Sequence, residues 1–363
     1  MSSEVGYALH DVDTPILWTD LTVLERNIAT LVTHFRKAGV NWRPHTKGIK
    51  TPAIAHKLLA AGAIGVTCAK LGEAEVMAAA GITDLLIANQ IVSPQKIARL
   101  VHLSRTTAVK TTVDDAGVVV TIGAAAVEHD ATVDLLIEVN TGMNRAGVEP
   151  GEATVALAQQ IADTPGVRLA GLMTWEGHTL SESDDDRKRE AVETAIELLT
   201  STAAACREQG LTIEIVSAGG SGTYQITPFL PGVTEIEAGG AIFCDMTYQG
   251  MGVQLEPALF VRSMVTSRPA SNRIICDAGF KTLPRGYTTP KPIGIDDIDT
   301  IVFSAEHGII TLNAPNQALA VGDTFDFIVG YGDSTVFLHD YLYGVRQNIV
   351  EAVWPVLGRG KLR

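Results

Sequence analysis

The chain has 363 residues, of which 46% are hydrophobic and 19% charged, enough for one large domain and a smaller one. With 28 Lys and Arg against 41 Asp and Glu, the formal net charge is −13, which argues against nucleic acid and anionic membrane surfaces as partners. No apolar run approaches the roughly 20 residues of a membrane span, and the first twenty residues lack the apolar core of a secretory signal. The four cysteines form no CxxC pair, so we expect reduced thiols in a cytoplasmic protein.

From about residue 15 to 245, short apolar runs alternate with Ala-rich helical runs. The predicted strands cover residues 14–18, 40–43, 64–67, 84–88, 108–112, 133–139, 169–173 and 214–217. The first predicted helix starts at Leu21, with Asp20 as its N-cap and Gly39 just past its end. About eight strand–helix units of ~25–35 residues indicate an α/β fold built on a parallel (β/α)8 TIM-like barrel, with an open doubly wound sheet as the alternative.

After Tyr248 the pattern changes to short strands between turns, without helical spacing. These strands are predicted at residues 258–265, 272–276, 300–304, 308–312 and 324–329. They indicate a mostly antiparallel β domain. The predicted organisation is therefore a barrel domain over residues 14–248, followed by a β domain over residues 249–363 to which residues 1–13 are added.

Lys47 ends the segment Arg43-Pro-His-Thr-Lys47, which follows an apolar stretch. The cationic neighbours Arg43 and His45 favour a neutral lysine amine, the form that makes a Schiff base with a carbonyl. A lysine on its own is more often an ordinary surface residue of a βα loop, so this interpretation depends on the rest of the chain. It makes Lys47 the candidate anchor for pyridoxal 5'-phosphate (PLP).

The segment Ser217-Ala-Gly-Gly-Ser-Gly-Thr-Tyr224 lies between a predicted strand and a helical run. Its glycines and hydroxyl side chains suit a turn whose backbone N–H groups surround a phosphate, although glycine-rich turns also occur without one. Arg145 and His178 follow two other predicted strands. Arg145 could donate to an aromatic anion and His178 could stack on a cofactor ring or act as an acid or base, while helix capping and a structural role are the plainer interpretations.

These motifs together resemble the D-threonine aldolase and D-serine dehydratase family, which is similar to the N-terminal barrel of alanine racemase. The resemblance covers nearly the whole chain. It is carried in order by Arg43-Pro-His-Thr-Lys47, Cys68-Ala-Lys-Leu-Gly-Glu73, Asn140-Thr-Gly-Met-Asn-Arg145, Glu176-Gly-His178, Gly219-Gly-Ser-Gly-Thr-Tyr224, Glu237-Ala-Gly-Gly240 and Glu306-His-Gly308.

The resemblance implies PLP bound on a fold-type III barrel, a C-terminal β domain that completes the active site, and a homodimer. Lys47 then matches the Schiff-base lysine and Arg145 the arginine near the cofactor phenolate. The remaining cofactor-binding residues implied are His45, Trp175, Ser221, Gly222, Thr223 and Tyr224. From the β domain, the resemblance brings Asp277 and Glu306-His307.

One departure from the family concerns a divalent metal. Metal-dependent members carry a His-x-Asp or His-x-Cys pair late in the β domain, whereas this chain reads Val329-Gly-Tyr331-Gly-Asp333. Asp333 is kept as a candidate ligand, but Tyr331 replaces the histidine, and a phenol is a poor ligand at neutral pH. A bound metal is therefore left open, with His339 and Asp340 as nearby substitutes.

The resulting expectation is a PLP-dependent lyase acting on a small-molecule substrate, which cleaves β-hydroxy D-amino acids by a retro-aldol reaction. Its catalytic residues are Lys47, His178, His307 and Tyr331, because carbon–carbon cleavage needs a base for the hydroxyl proton. The alternatives are a dehydratase of the D-serine or D-3-hydroxyaspartate type and an amino-acid racemase. A non-catalytic PLP carrier and a sugar- or nucleotide-binding barrel are further alternatives, but the long β domain and Lys47 argue against them.

Overall fold

The computed structural model describes residues 4–363, which divide into two compact units. The barrel unit comprises residues 31–47, 54–239 and 361–363. The β-rich unit comprises residues 4–30, 48–53 and 240–360. The chain therefore passes from one unit to the other several times, and Lys47 is the last residue of a barrel segment while Gly48 is the first of a β-rich one.

Eight parallel strands form the sheet of the barrel unit. They are β2 (Asn41–Trp42), β3 (Val66–Cys68), β4 (Asp84–Gln90), β5 (Ala108–Val113), β6 (Val133–Glu138), β7 (Val167–Met173), β8 (Ile215–Ala218) and β9 (Glu235–Ile236). Each pairs with its neighbour in the order β2-β9-β8-β7-β6-β5-β4-β3. Just after β2, His45 forms a parallel bridge with Thr67 of β3, so the ends of this order also meet. The predicted parallel barrel is confirmed.

Helices follow most of these strands. The helices are α1 (Leu21–Ala38), α2 (Pro52–Ala61), α3 (Leu71–Ala79), α4 (Pro94–Ser104), α5 (Ala116–Glu128), α6 (Glu152–Asp163), α7 (Asp185–Glu208), α8 (Met246–Gly250) and α9 (Gly332–Thr335). Asp20 accepts hydrogen bonds from the N–H groups of Thr22 and Val23, as an N-cap does. Gly39 follows α1 with φ +73°, which confirms both predicted ends of that helix.

The second sheet is mostly antiparallel, as predicted, and belongs to the β-rich unit. Its strands are β1 (Ile16–Asp20), β10 (Leu259–Ala270), β11 (Arg273–Cys276), β12 (Lys291–Pro292), β13 (Ile298–Phe303), β14 (Gly308–Leu312), β15 (Thr324–Ile328), β16 (Tyr341–Arg346) and β17 (Ile349–Pro355). An apolar cluster that includes Leu9, Trp18 and Phe260 packs against it, with the Trp18 and Phe260 rings stacked at 4.6 Å.

The strand β1 lies in this second sheet rather than in the barrel series where the sequence pattern placed it. It pairs antiparallel with β10 and parallel with β16. Its first four residues are all buried, a pattern that suits a central strand of either sheet. The eighth barrel strand is instead β9, whose two residues are too few to give a sequence signal.

No helix within residues 4–363 combines the length and apolar character needed to cross a membrane. All four cysteines are buried, and none of them forms a disulfide.

Candidate active site

Lys47 follows β2 and is half-buried. The backbone before it bonds to the adjacent strand, since Arg43 N–H donates to the Ile236 carbonyl and His45 N–H to the Glu237 carbonyl. The N–H of Lys47 itself donates to Nδ1 of His45 at 3.3 Å. The carboxyl ends of barrel strands are where active sites of this architecture gather, and the main chain at Lys47 is held at that end.

The guanidinium of Arg43 is buried among acidic groups. Its Nε donates to Glu235 at 3.1 Å and its Nη1 to Asp84 at 2.6 Å. Lys110 donates to the same Asp84 oxygen at 2.8 Å. Burial alone would raise the pKa of Asp84, but the two cations hold that pKa below its ordinary value. The positive charge that the sequence places near Lys47 is therefore paired with two carboxylates.

The glycine-rich segment forms a tight loop after β8. Gly219 has φ +76°, a conformation that favours glycine. Thr223 turns the loop back on itself, because its N–H donates to the Gly220 carbonyl and its hydroxyl oxygen accepts from the Gly220 N–H at 3.1 Å. Ser221 is buried beside them. The predicted residues Ser221, Gly222, Thr223 and Tyr224 thus form one continuous loop at the carboxyl end of the barrel.

Tyr224, the last residue of this loop, contacts helix α1. Its ring lies 5.3 Å from the imidazole of His34 on α1, and its carbonyl oxygen is 3.0 Å from Nε2 of the same histidine. The pKa of His34 is lowered by burial. The neutral imidazole that this favours is sufficient to donate one hydrogen bond to the carbonyl.

Trp175 and His178 pack on glycines of neighbouring loops. A Cβ on Gly220 or on Gly177 would overlap the Trp175 indole, and one on Gly142 would overlap the His178 imidazole. Nδ1 of His178 is buried and has no hydrogen-bond partner within residues 4–363. The structure therefore places His178 against the Asn140–Arg145 loop and Trp175 against the glycine-rich loop.

Arg145 reaches back to the end of β6. Its Nη2 lies 3.4 Å from Glu138, whose other oxygen accepts from Gln90 at 2.6 Å. About half of the Arg145 side chain remains exposed (53%). A guanidinium held by one carboxylate and otherwise accessible can still donate to a ligand anion.

Two buried carboxyl groups at this end of the barrel received no role from the sequence. Glu176 accepts from Gly219 N–H and from the hydroxyls of Thr223 and Thr227. Glu237 accepts from the Ser217 hydroxyl at 2.8 Å. The available signals were that each acid stands just before glycine or Ala-Gly, and that Glu176 follows the predicted strand 169–173 by three residues.

The β-rich unit contains a second polar cluster. The Tyr331 hydroxyl donates to Asp333 at 2.9 Å, and Gly332 N–H between them donates to Asp245 at 2.6 Å. Burial raises the pKa of Asp245 to about 7. A Cβ on Gly48, the residue after Lys47, would overlap the Asp333 carboxylate.

The other predicted residues of the β-rich unit, His307 and Asp277, make contacts outside the Tyr331–Asp333 cluster. His307 is exposed at the turn between β13 and β14, where its carbonyl accepts from Ser304 N–H. Asp277 accepts from the hydroxyls of Thr14 and Ser263.

Comparison with known proteins agrees with this arrangement. The family model described as "Alanine racemase, N-terminal domain" matches residues 19–247, and a model for a serine dehydratase domain matches residues 258–345. The chain is 34% identical over 362 residues to a D-threonine aldolase of Arthrobacter sp, covering 99% of this chain and 96% of that protein.

The chain belongs to the D-threonine aldolase and D-serine dehydratase family. Another relative is a 3-hydroxy-D-aspartate aldolase of Paracoccus denitrificans, 33% identical over 379 residues, with 99% of this chain and 97% of that protein covered. The crystal structure of a D-threonine aldolase from Filomicrobium marinum superimposes with a TM-score of 0.96 at 34% identity over 100% of both chains. The family resemblance predicted from the motifs is confirmed.

The donor groups at the family's metal position do not fit a divalent ion in this chain. The Tyr331 proton occupies one Asp333 oxygen, and burial, followed by the Asp333 charge, raises the pKa of that phenol above its ordinary value. Of the possible substitutes, His339 is engaged with the Thr282 carbonyl at 2.8 Å and Asp340 pairs with Arg359. Within residues 4–363, no three His, Cys, Asp or Glu side chains form a group able to hold a metal.

Glu237 gives a test of barrel electrostatics. Burial, and then the nearby Glu235 charge, raises the pKa of Glu237 from 4.5 to about 8. Between these values the folded protein holds a proton that the unfolded chain has released, so this contribution to stability falls as pH rises. We expect Glu237→Gln to gain stability relative to wild type between pH about 5 and about 8, as measured by urea unfolding of the cofactor-free protein.

The control for this experiment is Glu208→Gln, which alters an exposed carboxylate at the end of α7. Its free energy of unfolding should stay parallel to that of wild type across the same pH range. A Glu237→Gln curve that is also parallel to wild type would contradict the raised pKa.

Proposed function

We propose that this protein is a PLP-dependent lyase that cleaves β-hydroxy D-amino acids into glycine, or another amino acid, and an aldehyde. The observation that carries the proposal is the placement of Lys47 and the Gly219–Tyr224 loop at the same end of one parallel barrel. The chain also aligns over 99% of its length with two aldolases that act on D-amino acids.

The residues of the barrel unit fit PLP. The loop after β8 has the glycine conformation and turn geometry that let backbone N–H groups approach a phosphate. Nδ1 of His178, buried and without a hydrogen-bond partner among residues 4–363, leaves one polar atom for a ligand to satisfy. Lys47 would hold the cofactor aldehyde, the loop its phosphate and Arg145 its phenolate oxygen. When bound, PLP supplies an electron sink for the bond broken at Cα of the substrate.

The chain's own residues must then remove the hydroxyl proton of the substrate. Tyr331 donates its proton to Asp333, so its oxygen can accept a proton while its own passes to the carboxylate. This pair is our first candidate for the base, because its hydroxyl and carboxylate are joined by a hydrogen bond along which a proton can pass. His178 is the second candidate and the exposed His307 the third. None of these three assignments requires a metal.

A dehydratase is the second candidate function, favoured by the serine dehydratase domain match over residues 258–345. Product analysis with D-threonine separates the two reactions. We expect glycine and acetaldehyde from the PLP-loaded protein, and no product from the matched control L-threonine. Formation of 2-oxobutanoate and ammonia would instead establish a dehydratase. Exchange of the α-hydrogen without cleavage would indicate racemisation.

Lys47 is tested by trapping. Borohydride reduction of the PLP-loaded protein followed by peptide mass spectrometry should place a pyridoxyl group on Lys47, since only a Schiff base is reduced to a stable amine. Lys47→Ala should lose this label and at least about 1000-fold in activity. The control Lys37→Ala alters an exposed lysine at the end of α1 and should keep both. Full turnover by Lys47→Ala would exclude the scheme.

The metal position is tested by binding as well as by activity. We expect wild type to retain no stoichiometric divalent ion after dialysis and its activity to survive a chelator. Tyr331→His should gain Mn²⁺ or Co²⁺ affinity, measured by equilibrium dialysis, because imidazole is a far better ligand than a neutral phenol. Tyr331→Phe, the control without a nitrogen donor, should gain none. One tightly held metal ion per wild-type chain would contradict this expectation.

A further inference from the structure

Glu176 lies between Trp175 and Gly177, just after β7, and its side chain has no exposed surface. Both of its oxygens are used by a single loop. Oε1 accepts from the hydroxyls of Thr223 at 2.8 Å and Thr227 at 2.6 Å, and Oε2 accepts from Gly219 N–H at 3.2 Å. One carboxylate therefore fastens the beginning and the end of the segment 219–227.

These bonds also determine what Thr223 can do. Its hydroxyl gives its one proton to Glu176 and accepts the N–H of Gly220 at 3.1 Å, while its backbone N–H donates to the Gly220 carbonyl. Both donors of Thr223 are thus engaged inside the protein, and its hydroxyl supports the loop rather than a phosphate. The task of facing an anion falls to other N–H groups of the loop, whose direction depends on the turn that Glu176 and Thr223 maintain.

Trp175, the residue before Glu176, packs against the same glycine-rich loop. The Trp175 indole occupies the space where a Cβ of Gly220 would lie, and it occupies the corresponding space at Gly177. The segment Trp175–Gly177 is therefore a support on which the loop rests. Such close backbone approach is possible only with glycine at both positions.

A carboxylate beneath an anion site is unfavourable by Coulomb repulsion alone, since two like charges in a poorly solvated region repel each other. Three hydrogen bonds to one buried carboxylate, in contrast, are strong and directional. The two effects have opposite consequences for phosphate binding, which makes them separable by experiment.

We propose that Glu176 is the positioning residue of the phosphate site, holding the Gly219–Thr227 loop in the form that binds the phosphate ester of PLP. This inference rests on the proposed function in that PLP is taken as the ligand. Glu176 does not touch the cofactor in this scheme. It acts through Gly219, Thr223 and Thr227.

The test compares ligands with and without the phosphate, using full-length cofactor-free protein. Dissociation constants for PLP, for pyridoxal and for inorganic phosphate are measured by equilibrium dialysis, with tryptophan fluorescence as a second readout. Glu176→Gln keeps the shape of the side chain, but a glutamine amide has only one acceptor oxygen. The side that carries the NH₂ loses its hydrogen bonds, which are either the one from Gly219 N–H or the two from the threonine hydroxyls. Losing a charge-assisted hydrogen bond predicts PLP and phosphate binding weaker by about 10- to 100-fold, with pyridoxal binding unchanged.

Two further variants keep the test decisive if Glu176→Gln folds poorly. Thr227→Val removes one of the three donors with little change in shape and should weaken PLP binding by roughly 3- to 10-fold. Glu73→Gln is the matched control. Glu73 is fully buried like Glu176, and it likewise accepts hydrogen bonds from a threonine hydroxyl (Thr46) and a backbone N–H (Ala69). It should change PLP and pyridoxal binding by the same factor, leaving their ratio at the wild-type value.

The outcomes are distinct. Tighter PLP binding by Glu176→Gln would show that charge repulsion dominates and would overturn the proposal, as would equal losses for PLP and pyridoxal. The proposal would also be overturned if Glu176→Gln and Thr227→Val both bound PLP with the wild-type dissociation constant. Failure of the wild type to bind PLP at all would instead remove the proposed function, before any variant is compared.

Discussion

The buried guanidinium of Arg43 is the constraint on which the barrel end of this protein depends. A charge removed from water must be paired, and Arg43 finds its partners on two different strands, Glu235 of β9 and Asp84 of β4. Because the guanidinium is rigid and its donors have fixed directions, this pairing sets where the chain after β2 runs. Lys47 lies four residues further on, so the same ion pairs that satisfy Arg43 also fix the approach of the candidate Schiff-base lysine.

Buried carboxyl groups at this end of the barrel accept hydrogen bonds from donors in the loops. Loops after parallel strands carry N–H and hydroxyl donors that no strand neighbour can accept, and a buried donor without an acceptor is costly. Glu73, Glu176 and Glu237 each take up a Ser or Thr hydroxyl there. Glu176 does so for two ends of one loop, which converts a flexible glycine-rich segment into a fixed surface. A loop that is ordered before binding loses less conformational entropy when its ligand arrives.

The sequence predicted the features that depend on local pattern. Helix α1 has a polar cap before it and glycine after it, and Lys47 stands with polar neighbours at the end of a strand. The features it missed depend on distant partners. The four buried residues at the start of β1 suit either sheet equally, and only pairing with β10 and β16 decides between them. The role of Glu176 depends on hydrogen bonds from Thr223 and Thr227, which lie about fifty positions later in the chain, so the residues around Glu176 do not predict it.

The replacement of histidine by Tyr331 bears on which bond this protein breaks. Dehydration expels hydroxide, so it needs a Lewis acid or a strong proton donor at the leaving oxygen. The Tyr331 phenol directs its proton to Asp333, so its oxygen can accept another proton as its own passes to the carboxylate. Such a group is better suited to accept a proton from a substrate hydroxyl than to donate one, because the proton it holds is directed to the carboxylate. Removing the hydroxyl proton is the requirement of retro-aldol cleavage, so the Tyr331–Asp333 pair favours the aldolase over the dehydratase independently of the sequence identities.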